Sequence, residues 1–180
     1  MDERSRKRWD NAMITTNLTE TITLCGIIDE DFVNYKEPAM SLMFPNCTFK
    51  CGEENCQNRD LVNESQHRVK ISDLYNRYIN NPITGAIVLQ GMEPMDSWEE
   101  VNSLLFHFRI HEGCFDTIVI YTGYDEDEIA TYVDYIRKMY SNIIIKFGRY
   151  IPGQEPHYDE TLGVNLASDN QYAKLIAIGD

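Results

Sequence analysis

The stretch F-P-N-C-T-F-K-C-G-E-E-N-C-Q-N, residues 44–58, carries three of the chain's five cysteines, Cys47, Cys51 and Cys56, in the spacing C-x3-C-x4-C. The apolar run Ala39–Phe44 leads directly into it, so a strand delivers the chain to a cysteine loop. Thiolates are soft ligands, and three of them within ten residues fold around one iron–sulfur cluster or one zinc ion. Both normally take four protein ligands, so a set of three leaves a position for another residue or for a substrate. On the cysteines alone, a zinc site completed by His67 or Cys114 stands beside a cluster as a reading. Cys25 and Cys114 themselves read as small buried residues.

Beyond this loop, apolar runs alternate with amphipathic stretches. G-A-I-V-L-Q at 85–90 has the unbroken apolar centre of a strand covered on both faces, and T-I-V-I-Y at 117–121 and N-I-I-I-K-F at 142–147 repeat it. Between them Trp98, Val101, Leu104, Leu105 and Phe108 recur at helical spacing, as do Ile129, Tyr132, Val133 and Ile136. Ser97 with Glu100, and Asp125 with Glu128, are spaced as capping boxes, and Gly113 ends the first of these helices. Ser72 is a candidate cap for an earlier helix that presents Leu74, Tyr75, Tyr78 and Ile79 on one face and stops at Asn80-Asn81-Pro82. Before the cysteine loop, residues 14–24 resemble an edge strand, with Ile22 and Leu24 alternating with threonines, and 26–35 read as an exposed connection.

Strands alternating with helices predict an α/β fold with a mostly parallel sheet and flanking helices. In such sheets and barrels, ligands bind at the carboxyl ends of the strands. The cysteine loop follows the first strand, Gly91-Met92-Glu93-Pro94 the second, Thr122-Gly123-Tyr124 the third and Gly148-Arg149 the fourth, so the unusual residues share one rim.

The 180 residues read as one domain, 1–180, with 1–25 an N-terminal extension that is partly disordered and carries the basic cluster Arg4 to Arg8. A net charge of −13 opposes binding to a phosphate backbone, so nucleic acid is not an expected partner. No apolar run approaches the ~20 residues of a membrane span, and no membrane partner is expected. The charged start M-D-E-R-S-R-K-R-W lacks the apolar core of a secretory signal, and an odd number of cysteines suits a reducing compartment, so the expected location is cytoplasmic.

With these residues in order, the chain resembles the radical S-adenosylmethionine (SAM) superfamily, and within it the activating proteins of anaerobic (class III) ribonucleotide reductase. Cys47, Cys51 and Cys56, with Cys56-Gln57-Asn58, are similar to the family's cluster cysteines and their cysteine, variable residue, asparagine ending. Gly91-Met92-Glu93-Pro94 is similar to a glycine-glycine-acid-proline turn, Thr122-Gly123-Tyr124 to a threonine-glycine-tyrosine turn, and Gly148-Arg149-Tyr150 and Ser168-Asp169-Asn170-Gln171 to the late segments of these activases. The resemblance implies a partial (β/α) barrel. It implies a 4Fe-4S cluster on the three cysteines, with the amino and carboxylate groups of SAM on the remaining iron. Reductive cleavage of SAM then gives methionine and a 5′-deoxyadenosyl radical, which takes hydrogen from a glycine of the partner, a large glycyl radical enzyme. An electron donor such as a flavodoxin or a ferredoxin is implied as a second partner. Gly91 would let the backbone approach the methionyl group, with Met92 and Glu93 in the same turn, and Thr122 and Tyr124 would contact the nucleoside. Arg149 offers a fork to the SAM carboxylate.

The chain departs from this pattern in places. Four residues, Gly52 to Asn55, stand between the second and third cysteines where the family has two. Asn55 stands where an aromatic usually meets the adenine, leaving Phe49 as the substitute, and Met92 and Phe147 replace a glycine and an aspartate. Other readings are a radical SAM enzyme acting on a small molecule or peptide, and a non-catalytic zinc or iron–sulfur interaction module. His107 and His111 stand four apart on a helix, but without the glutamate of the zinc-protease motif they read as partly exposed helix residues.

Overall fold

The structure is a computed structural model that describes residues 18–177. Six strands form the main sheet: β2 (Gly26–Asp31), β3 (Ala39–Phe44), β5 (Ala86–Gly91), β6 (Thr117–Tyr121), β7 (Ile143–Phe147) and β10 (Tyr172–Ile176), in the order β10-β7-β6-β5-β3-β2. Strands β3, β5, β6 and β7 are parallel, and β2 and β10 close the two edges antiparallel. Two small ribbons stand apart from it, β1 (Thr21–Leu24) with β4 (His67–Lys70) and β8 (His157–Asp159) with β9 (Val164–Leu166). The helices are α1 (Ile71–Ile79), α2 (Trp98–Phe106) and α3 (Ala130–Met139).

Because strand side chains alternate, the sheet has two different faces. One carries Leu42, Phe44, Ile87, Leu89, Ile118, Ile120, Ile143 and Ile145, and buries them against helix residues such as Leu74, Val101, Leu104, Val133 and Ile136. The other carries Ala39, Ala86, Val88, Val119 and Ile144, covered by Tyr35, Leu162 and Leu166. Towards the carboxyl ends the second face turns polar. Gln90 pairs in register with Met43, and Tyr121 with Lys146, so period-two alternation alone delivers an amide, a phenol and an ammonium to one end of the sheet.

Several expectations change. Residues 26–35 are not wholly a connection: Gly26–Asp31 is an edge strand, hydrogen-bonded to β3, which the acidic sequence I-I-D-E-D disguises. Ile22 and Leu24 are buried in the main core, so the part of the stretch 1–25 from Leu18 on belongs to the fold, while Arg4 to Arg8 lie outside the described residues. Helix α1 starts from Lys70, and Ser72 caps nothing; the Ile71 amide is satisfied by the Glu20 carbonyl, at 2.9 Å, because β4 runs straight into the helix. Ile79, expected on the buried face of α1, is exposed. The Ser97 and Glu100 capping box does not form. Ser97 Oγ accepts from Asn46 Nδ2, at 2.9 Å, and the Glu100 carboxylate accepts from the amide and hydroxyl of Thr23, both at 3.0 Å, tying β1 to α2. Of the Asp125 and Glu128 pair, half is present: Glu128 Oε2 accepts from the Asp125 amide at 2.9 Å.

Candidate metal centre

Each strand end supplies a turn, and hydrogen bonds lock the turns to one another. After β3, Phe44 accepts from the Met92 amide at 2.8 Å and Asn46 from the Glu93 amide at 2.9 Å, so the cysteine loop leaves the sheet alongside the turn after β5. Gly91 sits there with φ 102°, and a Cβ on it would stand 2.7 Å from the Phe44 backbone. The room made by its missing side chain is therefore filled by the chain itself, and Gly91 packs two strand ends together. Asn58 Nδ2 donates to the Gly91 carbonyl at 2.5 Å, pinning the far end of the cysteine loop to the same turn.

Within the loop, Phe49 adopts φ 53°, a left-handed conformation that costs a side-chain-bearing residue about 1–2 kcal/mol. That conformation turns its amide towards Cys47 Sγ, at 3.2 Å, and its carbonyl accepts from Gly52 at 2.9 Å. The enlarged gap before Cys56 is taken up as one 3-10 turn, Glu53–Asn55, with the Asn55 and Cys56 amides bonded back to Gly52 and Glu53. Burial pushes the Cys47 thiol up to about 11, helped by Glu93 and Asp96, and burial likewise raises Cys51, against the pull of Arg149. An electropositive centre among the thiols is what such a site needs to hold them as thiolates.

The third turn braces the loop. Thr122 Oγ1 and the Gly123 amide donate to the Glu93 carboxylate at 2.7 and 2.8 Å, and Met95 donates a third bond at 3.1 Å. Glu93 is buried, which raises its pKa against the pull of those donors, and its oxygens are engaged within the protein. Tyr124 reaches back to the loop: its hydroxyl donates to Asp96 at 2.6 Å and lies 3.3 Å from Thr48 Oγ1, while Asp96 accepts from the Thr48 amide at 2.7 Å. The Tyr124 ring lies under Lys50 Nζ, 4.6 Å from its centroid, and near the Arg149 guanidinium, 5.2 Å away.

The fourth turn joins the two late motifs. Asn170 Nδ2 donates to the Arg149 carbonyl and Gln171 Nε2 to that of Gly148, at 2.9 and 3.2 Å. The Arg149 fork is filled: it makes two bonds with Glu128, at 2.7 and 2.9 Å, and holds that carboxyl down to about 2. A free fork for a ligand carboxylate is thus not what Arg149 presents. Lys146 is the cation that sequence reading missed. It is buried, with its ammonium bonded to the Gly148 carbonyl at 2.8 Å, and burial lowers its pKa to about 8. The one sign of it in the sequence is its place in the alternation of I-I-I-K-F, on the face opposite Ile143 and Ile145.

These turns surround one cavity of about 320 Å³, lined by all three loop cysteines and by Asn58, Gly91, Met92, Glu93, Thr122, Tyr124 and Arg149, together with Gln90, Tyr121 and Lys146. Phe49 is half-buried and outside that lining. His67 is exposed on β4, and Cys114 precedes the amino end of β6, so neither closes the cysteine set. Nor are the thiols gathered as around one ion: among the described residues they do not all come within 4.8 Å of one another. Sulfurs about a tetrahedral zinc, at ~2.3 Å each, stand roughly 3.8 Å apart. A cluster that takes each thiolate on its own iron fits three spread thiols beside an open cavity. No helix among the described residues is long and apolar enough to cross a membrane.

A family model described as a 4Fe-4S single cluster domain matches residues 38–168, from just before β3 to the serine that opens the last motif. No curated protein and no solved structure matches the chain.

Proposed function

Because the chain belongs to the 4Fe-4S single cluster domain family, we propose that it is a radical SAM activase, built as a partial (β/α) barrel, that cleaves SAM reductively and installs a glycyl radical on an anaerobic ribonucleotide reductase. The observation that carries this reading is the cavity itself: three cysteines, too few to close a cluster, open onto a space of about 320 Å³, the size of a pocket for one small ligand. When bound, a 4Fe-4S cluster supplies one-electron reduction at that wall. The chain's own residues then divide the remaining work. Asn58, Gly91 and Tyr124 fix the cysteine loop, and the Glu93 carboxylate joins the second turn to the third. Lys146, with donors to spare beyond Gly148, is the charge available to an anionic group such as the SAM carboxylate, in place of Arg149.

The test is anaerobic reconstitution with iron and sulfide, chemical reduction, and quantification of 5′-deoxyadenosine formed from SAM. A candidate reductase is then added, and its glycyl radical is sought by electron paramagnetic resonance. Both products are expected, and Cys47→Ala, Cys51→Ala or Cys56→Ala abolishes both while Cys25→Ala does not. Deoxyadenosine without the partner's radical points instead to another substrate. Zinc without iron, and no cleavage, removes the enzymatic reading.

A further inference from the structure

At the opposite end of the sheet, the segment after α2 winds as a π turn, His107–His111, closed by the Glu112 amide donating to the His107 carbonyl at 3.0 Å. A bond five residues back stacks residue 112 over residue 107, while residue 111 remains its ordinary helical neighbour. Two imidazoles and a carboxylate therefore meet on one face. The rings of His107 and His111 stack at 4.9 Å, and Glu112 Oε1 stands 3.4 Å from His107 Nε2 and 2.9 Å from His111 Nδ1. Ligand atoms of all three lie within 4.8 Å of one another, which among the described residues is true of this group alone. His107 Nε2 is also buried without a hydrogen-bond partner, since its contact with Glu112 lacks bonding geometry. A buried polar atom left unpaired calls for an explanation, and beside a carboxylate and a second imidazole a bound cation supplies one.

The geometry points to a second metal site here, independent of the cysteines: a divalent transition ion such as zinc, held by His107, His111 and Glu112. Two nitrogens and one oxygen form a donor set suited to zinc and its late first-row neighbours, whereas magnesium and calcium seek oxygen alone. His111 is mostly exposed, which leaves the remaining coordination position to water. The net charge of −13 favours uptake of a cation. The site's place in the fold gives it a structural task, because the same π turn carries Arg109, whose buried guanidinium binds the loops that lead into β6 and β7. An ion across residues 107, 111 and 112 locks that turn.

The experiment uses cluster-loaded protein titrated with zinc, read by X-ray absorption at the zinc edge and by melting temperature. We expect one zinc per chain, a shell of nitrogen and oxygen at about 2.0–2.2 Å without sulfur, and a rise in melting temperature with zinc. His111→Ala, at an exposed side chain that leaves folding intact, and Glu112→Gln should each weaken zinc binding by roughly tenfold or more. Sulfur at about 2.3 Å in the zinc shell, or unchanged affinity in His111→Ala, overturns the site.

Discussion

Arg109, on the π turn, and Lys146, on β7, are both buried cations at opposite ends of the same sheet, and their surroundings differ in kind. Arg109 donates to four backbone carbonyls, those of Cys114, Asp116, Ser141 and Asn142, at 2.6 to 3.2 Å. Lys146 donates to one, that of Gly148. A planar fork matched to fixed acceptors has four of its five donors, on all three nitrogens, taken by the protein, and its charge serves the fold. An ammonium with one acceptor, at the wall of a cavity, is charge held in readiness. Equal burial thus coexists with opposite use, and the count of satisfied donors tells the two apart.

The largest effect should come from breaking the Arg109 end. Arg109→Met removes the side-chain donor from four carbonyls at the starts of β6 and β7, of which that of Asn142 keeps a backbone partner, the Ile118 amide at 3.2 Å, and should cost about 3–5 kcal/mol, read as a lower urea midpoint with an unchanged slope. A loss below about 1 kcal/mol would mean that the loops hold themselves and that Arg109 is no keystone. At the rim, Gly91→Ala forces a Cβ to within 2.7 Å of the Phe44 backbone at φ 102°, which should cost about 2–3 kcal/mol. Because Asn58 hangs on the Gly91 carbonyl, the same change should lower the iron content after reconstitution, a defect that Arg109→Met should not share among the molecules that fold.

What could be read in advance follows the same division. Strands β5, β6 and β7 were legible because burial on both faces makes an unbroken apolar run, and α2 and α3 because one buried stripe sets a helical period. The edge strand β2 and the ribbon strands β4, β8 and β9 were not, since a strand covered on one face at most carries little apolar signal; β1 was, because Ile22 and Leu24 alternate with threonines. The capping box at Ser97 failed because residues distant in sequence, Asn46 and Thr23, took its hydroxyl and the Glu100 carboxylate first. The three cysteines and the turn motifs announced a rim, but which side chains are spent in holding it together is tertiary information. Gly91, Glu93 and Arg149 all proved to be engaged by the chain itself, while Lys146, hidden in a hydrophobic run, faces the cavity.

The smallest effect has the most telling sign. Burial holds Lys146 at about 8, below its value in the unfolded chain, so in neutral solution the folded state bears the cost of a poorly solvated charge. Lys146→Met removes that cost and should stabilise the protein at pH 7, on the order of 2 kcal/mol once the lost bond to Gly148 is allowed for. Between about pH 8 and the ordinary lysine pKa of about 10.4, the unfolded chain binds the proton that the folded one has released. The wild type should therefore gain stability as pH rises through that window, and the advantage of the methionine variant should shrink over it. A cation such as Arg109 has no counterpart to this behaviour, because its guanidinium stays charged throughout. If Lys146 is charge in readiness for the proposed ligand SAM, the variant that folds better should bind SAM at least about tenfold more weakly, since a charge-assisted hydrogen bond contributes roughly 1.5–3 kcal/mol. Unchanged SAM affinity, or a variant less stable than the wild type at pH 7, would instead make Lys146 a second structural cation and erase the contrast between the two ends of the sheet.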